Sequence, residues 1–192
     1  MRVRLAWALL LALALAPAVP ARLTAQPMTG ETLLVGVPPG YKVDFQSKQP
    51  HMLMTEMVPE GQSVKDWTEM LTTQIFYGER APTAEAMQAR MKDAWLGACK
   101  EGTVAPIAKG DEHGYPVTVW MSTCPRNSAT GKPEHTWFKA IRGNDSLYVV
   151  QKAFRFEPSR EQVVEWMQFL RRVAVCDSRR AERKCPTVGK QP

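Results

Sequence analysis

The chain has 192 residues, with 25 Lys and Arg against 19 Asp and Glu, a formal net charge of +6 and four cysteines. This length suits one domain with one hydrophobic core. No C-x-x-C motif occurs in the sequence, so neither a zinc site of that spacing nor a thioredoxin-type redox pair is supported.

The first 25 residues are predicted to be a cleaved signal peptide. Arg2 and Arg4 form a short positive region, and an apolar run over residues 5–18 follows. That run has the length of a signal-peptide core and is shorter than the about 20 residues that span a bilayer. We expect cleavage after Ala25, with Ala21 as the alternative site. An uncleaved membrane anchor is the other interpretation.

Export would change both the charge and the compartment of the chain. Cleavage removes Arg2, Arg4 and Arg22, which halves the net charge of +6 and argues against nucleic acid as a partner. The mature chain is expected to be periplasmic or secreted. It has no cysteine near the cleavage site to carry a lipid and no further transmembrane segment.

The four cysteines are predicted to form disulfides, because an even number in an oxidising compartment favours pairing. They are Cys99, Cys124, Cys176 and Cys185. Three pairings are open. We favour Cys99–Cys124 with Cys176–Cys185, since these pairs close short loops.

Three strands are predicted to open the domain, over residues 32–37, 41–46 and 52–58. Two helices are expected next. Ser63 and Asp66 form an S-x-x-D pattern that is typical of a helix start, and an apolar stripe at helical spacing continues to Ile75. The second helix is expected to begin near Thr83 and to end close to Cys99.

Four strands and a helix are predicted for the rest of the chain. The strands cover residues 103–108, 117–123, 136–141 and 147–154, with a hairpin turn over residues 143–146. Ser159 and Gln162 form the capping box of the last helix. The order βββααββββα predicts an α+β fold, an antiparallel sheet of about six or seven strands flanked by three helices. We expect one domain over residues 26–176 and a basic tail over residues 177–192, held by a disulfide.

This layout resembles the PsbP-like and DcrB-like exported domains. The resemblance rests on the leader, on Val37-Pro38-Pro39-Gly40-Tyr41, on Val64-Lys65-Asp66-Trp67-Thr68, on the late hairpin and on the closing helix. It covers most of residues 31–175. It implies a helix–sheet–helix sandwich that serves as a binding or accessory module. No functional residue is carried over, and four cysteines are not a hallmark of that group.

A cluster of His51, Met52, Met54 and Met57 offers the imidazole and thioether ligands that suit copper. On a strand, however, Met52 and Met54 share one face while His51 and Met57 share the other. Packing of the methionines in the core is therefore the favoured interpretation.

Other candidates for chemistry are isolated in the sequence. Asp111, Glu112 and His113 fall in a predicted turn, and His135 has no second ligand nearby. Cys124 with His135 could form a thiol–imidazole pair, but pairing of the cysteines argues against it. We predict no catalytic residue, cofactor or metal ligand.

Two surfaces remain as candidates for binding. The tail carries Arg179, Arg180, Arg183 and Lys184, which could contact an anionic surface or an envelope protein. Trp120 is expected to be buried only if both faces of the sheet are covered. The predicted function is a non-enzymatic binding or accessory protein of the bacterial cell envelope. The alternatives are a small hydrolase whose carboxylates assemble in the fold, and a methionine-dependent copper protein.

Overall fold

The computed structural model describes residues 28–186. The predicted signal peptide, residues 1–25, lies outside them, as do residues 187–192. Nine strands and two α-helices form within this range, at Glu31–Leu34 (β1), Tyr41–Gln49 (β2), Met52–Pro59 (β3), Glu69–Tyr77 (β4), Ala84–Ala98 (α1), Thr103–Glu112 (β5), Tyr115–Cys124 (β6), Glu134–Arg142 (β7), Ser146–Phe154 (β8), Arg160–Arg172 (α2) and Ala174–Asp177 (β9). A short 3₁₀-helix, Ala181–Arg183, follows.

Seven strands form one antiparallel sheet in the order β2-β3-β4-β8-β7-β6-β5. β1 and β9 form a separate antiparallel pair. The prediction of an α+β fold with an antiparallel sheet is therefore confirmed. The hairpin turn over residues 143–146 is confirmed as well, since the Gly143 N–H donates to the carbonyl of Ser146.

The two helices lie on opposite faces of the large sheet. Ala84 and Met87 of α1 pack on Trp120 and Phe138 of one face, and Trp166 of α2 belongs to the larger core on the other face. Trp120 is completely buried, as expected for a sheet that is covered on both sides. Within residues 28–186, neither helix has the length and apolar character that a membrane crossing requires.

The prediction of three helices was wrong, because the segment after Ser63 forms a turn and then strand β4. Ser63 and Asp66 pair with each other in a tight turn, with the Asp66 N–H donating to the Ser63 carbonyl over 3.0 Å. The chain then extends from Glu69 to Tyr77 between β3 and β8. Threonine, isoleucine and aromatic residues dominate this stretch, and such residues favour strands.

The first predicted strand also takes a different place from the one expected. β1 does not join the large sheet; it pairs with β9 at the other end of the chain, with Glu31 opposite Asp177 and Leu34 opposite Ala174. β9 itself was not predicted. Its four residues fall where the sequence analysis placed the end of the last helix and the start of the basic tail.

Both outer strands of the large sheet contain a bulge. The pairing of β2 with β3 shifts between Val43 and Phe45, and that of β5 with β6 shifts between Pro106 and Ala108. A bulge bends an edge strand and interrupts its row of unpaired N–H and C=O groups.

The structure contains both favoured disulfides. Cys99 is bonded to Cys124 and joins the end of α1 to the end of β6. Cys176 is bonded to Cys185 and holds the chain after β9 against that strand. Two disulfides are typical of proteins from an oxidising compartment.

The start of α2 supports a stability prediction. The Ser159 hydroxyl accepts from the Gln162 N–H, and the Gln162 side chain accepts from the Ser159 N–H. Ser159→Ala should therefore lower the free energy of unfolding by about 1 kcal/mol, measured by urea denaturation. Ser159→Asp keeps a capping oxygen and should stay close to wild type. An equal loss in both variants would contradict the capping role.

Candidate functional site

A groove lies between β1 and the face of the large sheet that α2 covers. Residues 29–33 and Val35 form one wall of the groove, and Thr73, Ile75, Tyr77 and Tyr148 of β4 and β8 line the other side. It encloses about 450 Å³, a volume within the range of about 300–1,000 Å³ that is typical of ligand sites.

The lining of the groove is largely apolar. Leu33, Val35 and Ile75 are partly buried against the main core, and each leaves part of its surface open to the groove. Tyr77 is 38% exposed. Side chains of this kind gain most from a ligand that covers their remaining apolar surface.

One end of the groove is closed by the Glu31 carboxylate. It accepts hydrogen bonds from the Asn144 N–H (2.7 Å), the Asp145 N–H (3.2 Å) and the Tyr148 hydroxyl (3.1 Å). Burial raises the pKa of Tyr148, and the neighbouring negative charge of Glu31 adds to that effect. Glu31 therefore fastens β1 to the turn between β7 and β8.

This attachment requires a glycine at position 143, because a Cβ there would overlap the Glu31 carboxylate. Gly143→Ala should displace Glu31 from the turn and lower the free energy of unfolding by about 1–2 kcal/mol. Glu31→Ala should have a similar effect in chemical denaturation. The double variant should cost no more than either single one, since both remove the same contact. Additive losses would show that the two residues act separately.

A second, more open depression adjoins that end of the groove and is lined by charged residues. Its centre is Arg179, which donates to Asp177 (2.8 Å) and to Asp145 (2.6 Å). The hydrogen bonds from Arg179 lower the pKa of Asp177 to about 2. Asp177 is fully buried, so this ion pair fixes the end of β9 to the same turn that Glu31 binds.

A buried polar cluster lies under α2, on the same face of the sheet. The Lys152 ammonium is completely buried and donates to Glu69 (2.6 Å) and to the Tyr41 hydroxyl (2.5 Å). It also lies 3.8 Å from the ring centre of Trp166. Burial lowers the pKa of Lys152 to about 8, and burial likewise raises the pKa of Tyr41.

The lowered pKa of Lys152 predicts a pH dependence of stability. Between about pH 8 and 10.5 the unfolded chain keeps the Lys152 proton while the folded chain loses it. Stability must therefore rise with pH, by up to about 1.4 kcal/mol per pH unit. Thermal unfolding of wild type and Lys152→Met between pH 7.5 and 9.5 tests this, and wild type should gain relative to the variant. The measurement stops below pH 10 because Tyr41 and Tyr148 have raised pKa values in the folded chain. At higher pH these tyrosines lose their protons more readily in the unfolded chain, which lowers stability. A constant difference would contradict the prediction.

A second buried lysine holds the other end of α2. The Lys139 ammonium donates to the carbonyls of Leu170 (3.0 Å) and Val173 (2.8 Å), which are among the last carbonyls of the helix, and it pairs with Glu112 at 2.5 Å. A cation at this position complements the negative end of the helix dipole. The contacts of Lys139 thus hold the end of α2 on the sheet.

Most groups with large pKa shifts are bound in two closed clusters, while Tyr148, whose pKa is also raised, is bound to Glu31 at the end of the groove. Lys152, Tyr41 and Glu69 form one closed cluster, and Asp177 with Arg179 forms another. A catalytic group needs an open side toward its substrate. The groove offers mainly apolar surface, with the Glu31 carboxylate and the Tyr148 hydroxyl at one end.

The residues of the predicted copper cluster are separated by the strand, as the sequence analysis argued. Met57 is buried in the main core, whereas Met54 lies on the opposite face and contacts Gln74. His51 is in the exposed turn between β2 and β3. Among residues 28–186, no three His, Cys, Asp or Glu side chains are arranged to hold a metal ion.

The predicted basic surface is partly used inside the fold. Arg179 is bound to two carboxylates, and Arg183 stacks on the Tyr115 ring at 3.9 Å and donates to the Gly114 carbonyl. Arg180 faces Glu182 at 3.6 Å. Lys184 is exposed. The start of the predicted tail is thus packed on the domain.

The other candidate residues are dispersed in the structure. Glu112 ends β5 and binds Lys139, while His113 lies in the turn after it with a φ of 54°. His135 sits on β7. Cys124 is in a disulfide, so no thiol is available to pair with a histidine.

Sequence reasoning missed the residues that shape the groove. Glu31 is one acidic residue in an apolar segment, and its partners are more than 100 residues away. The two buried lysines, in contrast, can be recognised in the sequence. Lys139 and Lys152 are each the one charged residue of the predicted strands over residues 136–141 and 147–154, and a charge in a largely apolar strand needs a partner.

The chain was compared with protein families, with known sequences and with solved structures. No family model matches the chain. A segment of 66 residues, 34% of the chain, is 32% identical to polyketide synthase GfsB of Streptomyces halstedii, and it spans 1% of that protein's length.

Three solved structures are similar to the chain over most of its length. They are PsbP of Synechocystis sp. PCC 6803 (TM-score 0.44, 11% identity, 77% of this chain and 91% of that chain), the Ran-binding protein Mog1p of Saccharomyces cerevisiae (0.41, 11%, 74% and 85%) and LpqN of Mycobacterium tuberculosis, described as involved in cell envelope biogenesis (0.34, 11%, 78% and 84%). A PsbP is thus among the similar structures, and at these identities the likeness concerns the fold alone.

Proposed function

We propose that the chain is a non-enzymatic binding module of the bacterial cell envelope, and that its ligand occupies the groove between β1 and strands β4 and β8. The observation that carries the proposal is the groove itself, which has a volume of about 450 Å³, a largely apolar lining and polar groups at one end. In this proposal residues 1–25 are removed on export and the mature chain is periplasmic or secreted. The two disulfides support that compartment.

The burial and the hydrogen bonds of the residues that line the groove support binding more than catalysis. Its floor belongs to the buried part of the large sheet, since Tyr148 is 3% exposed and Thr73 is 7% exposed. Its charged residues, Glu31 and Asp145, are held by amide N–H groups and by Arg179. A hydrolase would need a carboxylic acid or carboxylate free to exchange a proton with its substrate.

Site-specific photocrosslinking tests this proposal. The photoreactive amino acid p-benzoylphenylalanine is placed at Tyr77, which lines the groove, and in a matched variant at Ile107 of β5. The two positions are 38% and 45% exposed. Irradiation in an envelope extract should give a defined product at Tyr77, identified by mass spectrometry and suppressed by unlabelled mature protein. The same products at both positions, or none at Tyr77, would refute a ligand in the groove.

A further inference from the structure

We propose that the groove takes an extended peptide, which adds a strand to the free edge of β1 and places a lysine or arginine next to Glu31 and Asp145. This inference rests on the proposed function, because it names the ligand class for the same site. Four features of the structure support it: the hydrogen-bonding pattern of β1, the apolar floor, the contrast with the other sheet edges, and the charge at one end.

The hydrogen-bonding pattern shows which backbone groups of β1 are free. The Ser178 N–H donates to the Gly30 carbonyl over 3.0 Å, and the Gly30 N–H donates to the Ser178 hydroxyl over 2.8 Å, so the backbone groups of Gly30 and Ser178 face each other as in a hydrogen-bonded pair. Because such pairs alternate along antiparallel strands, Thr32 and Leu34 also direct their N–H and C=O groups toward β9. The N–H and C=O of Glu31 and Leu33 therefore point away from β9, and the lining of the groove by β1 but not β9 places them on the groove side.

The floor of the groove has the spacing that a strand needs. Side chains of a strand added beside β1 would point alternately toward the large sheet and toward solvent. Those directed inward would meet Ile75 and Tyr77, next to Leu33 of β1. The wall runs from residue 29 to residue 35, which matches a peptide of about seven residues at about 3.3 Å per residue. Strand addition of this kind obtains affinity from main-chain bonds and specificity from pockets for alternate side chains.

The edge of β1 differs from the edges of the large sheet. β2 and β5 each contain a bulge, whereas the register of β1 on β9 runs without a shift from Glu31 to Leu34. The edge that borders the groove is thus regular, unlike both edges of the large sheet.

The charge near Glu31 favours a cationic residue in the peptide. This end of the groove and the adjoining depression contain four carboxylates, from Glu31, Asp145, Asp177 and Glu182, against the two guanidinium groups of Arg179 and Arg180. The three groups that donate to Glu31 are amides and a hydroxyl, and none of them carries a positive charge. A lysine or arginine at the end of the peptide would supply the missing positive charge.

Synthetic peptides test the inference with the unmodified mature protein. The probes are fluorescein-labelled Lys-Val-Thr-Val-Thr-Val-Ser and Ser-Val-Thr-Val-Thr-Val-Lys, with both termini blocked, so that either strand direction can place the lysine beside Glu31. At least one should bind, and its counterpart with Glu in place of Lys should bind about three- to fivefold more weakly. Equal binding of the Lys and Glu peptides, or binding of neither Lys peptide, would overturn the proposal.

N-methylation of the peptide backbone distinguishes strand addition from simple apolar contact. Two versions of the bound peptide are N-methylated at alternate residues, one at even and one at odd positions. One version should lose affinity by about tenfold or more, because its N–H groups pair with β1, and the other should keep most of it. Hydrogen exchange should show new protection of the Glu31 and Leu33 amides, with Thr32 as the internal control. Equal losses in both versions, or no new protection, would contradict strand addition.

The crosslinking experiment separates this inference from the proposed function. A non-peptide molecule captured at Tyr77 would overturn the peptide inference and leave the groove as a binding site. A second copy of the chain captured there, with a dimer in analytical ultracentrifugation, would replace the peptide with self-association. The absence of any product at Tyr77 would count against both proposals.

Discussion

Replacing Glu69 with alanine is expected to lower the free energy of unfolding by about 3 kcal/mol at pH 7. The Lys152 ammonium is completely buried and relies on Glu69 and the Tyr41 hydroxyl for its hydrogen bonds. Removing one member of a buried ion pair typically costs about 3–5 kcal/mol, because the other charge stays buried without a partner. The lower end of that range applies since the Glu69 side chain is 20% exposed.

Two further variants make this prediction specific. Glu165→Ala removes an exposed carboxylate from the neighbouring helix and should change stability by less than about 0.5 kcal/mol. The double variant Glu69→Leu with Lys152→Met replaces the whole pair by apolar side chains and should recover most of the loss. Chemical denaturation with urea measures all three. A double variant as unstable as Glu69→Ala would show that packing, and not an orphaned charge, causes the loss.

Removing the Cys99–Cys124 disulfide is expected to cost about 3.5 kcal/mol, since that bond closes a loop with a sequence separation of 25. The shorter loop between Cys176 and Cys185 has a separation of 9, for which the same chain-entropy relation gives about 2.7 kcal/mol. Each pair is changed to alanine and the midpoint of urea unfolding is compared. The larger loss should fall on the first pair.

The Cys176–Cys185 variant also serves as the control for this comparison. Both variants remove two sulfur atoms, from cysteines that are buried except for the half-buried Cys185, so their difference reports loop closure more than packing. A larger loss for Cys176–Cys185 would mean that this bond acts mainly by holding Arg179 and Arg183 against the domain, and that the entropy relation does not describe it.

The sequence predicted those parts of the fold that depend on local patterns. The strand predicted over residues 41–46 is observed as β2, although a bulge between Val43 and Phe45 leaves both of these apolar side chains exposed. The capping residues Thr83 and Ser159 begin the two helices. The prediction of a helix from Ser63 to Tyr77 was wrong because the apolar residues of this segment fit the period of a strand as well as that of a helix. Leu71 and Ile75 are four residues apart, as on a helix, but they also lie on the same face of a strand.

The parts that could not be predicted depend on contacts between distant segments. β1 pairs with a strand more than 140 residues later, and no local pattern identifies such a partner. The groove exists only because of that pairing, so the candidate site was invisible to sequence reasoning. The disulfide pairing, in contrast, followed from loop lengths, since the favoured pairs are also the closest in sequence.

The bulges at the two edges of the large sheet have a consequence for the behaviour of the protein in concentrated solution. A regular edge can recruit another molecule and start a fibril, but at β2 and β5 the row of backbone groups is broken near Asp44 and Ile107. Polymerisation by addition of folded molecules to these edges is therefore disfavoured. Aggregates that grow through the large sheet should form only after the chain has unfolded, and their rate should follow the population of unfolded molecules.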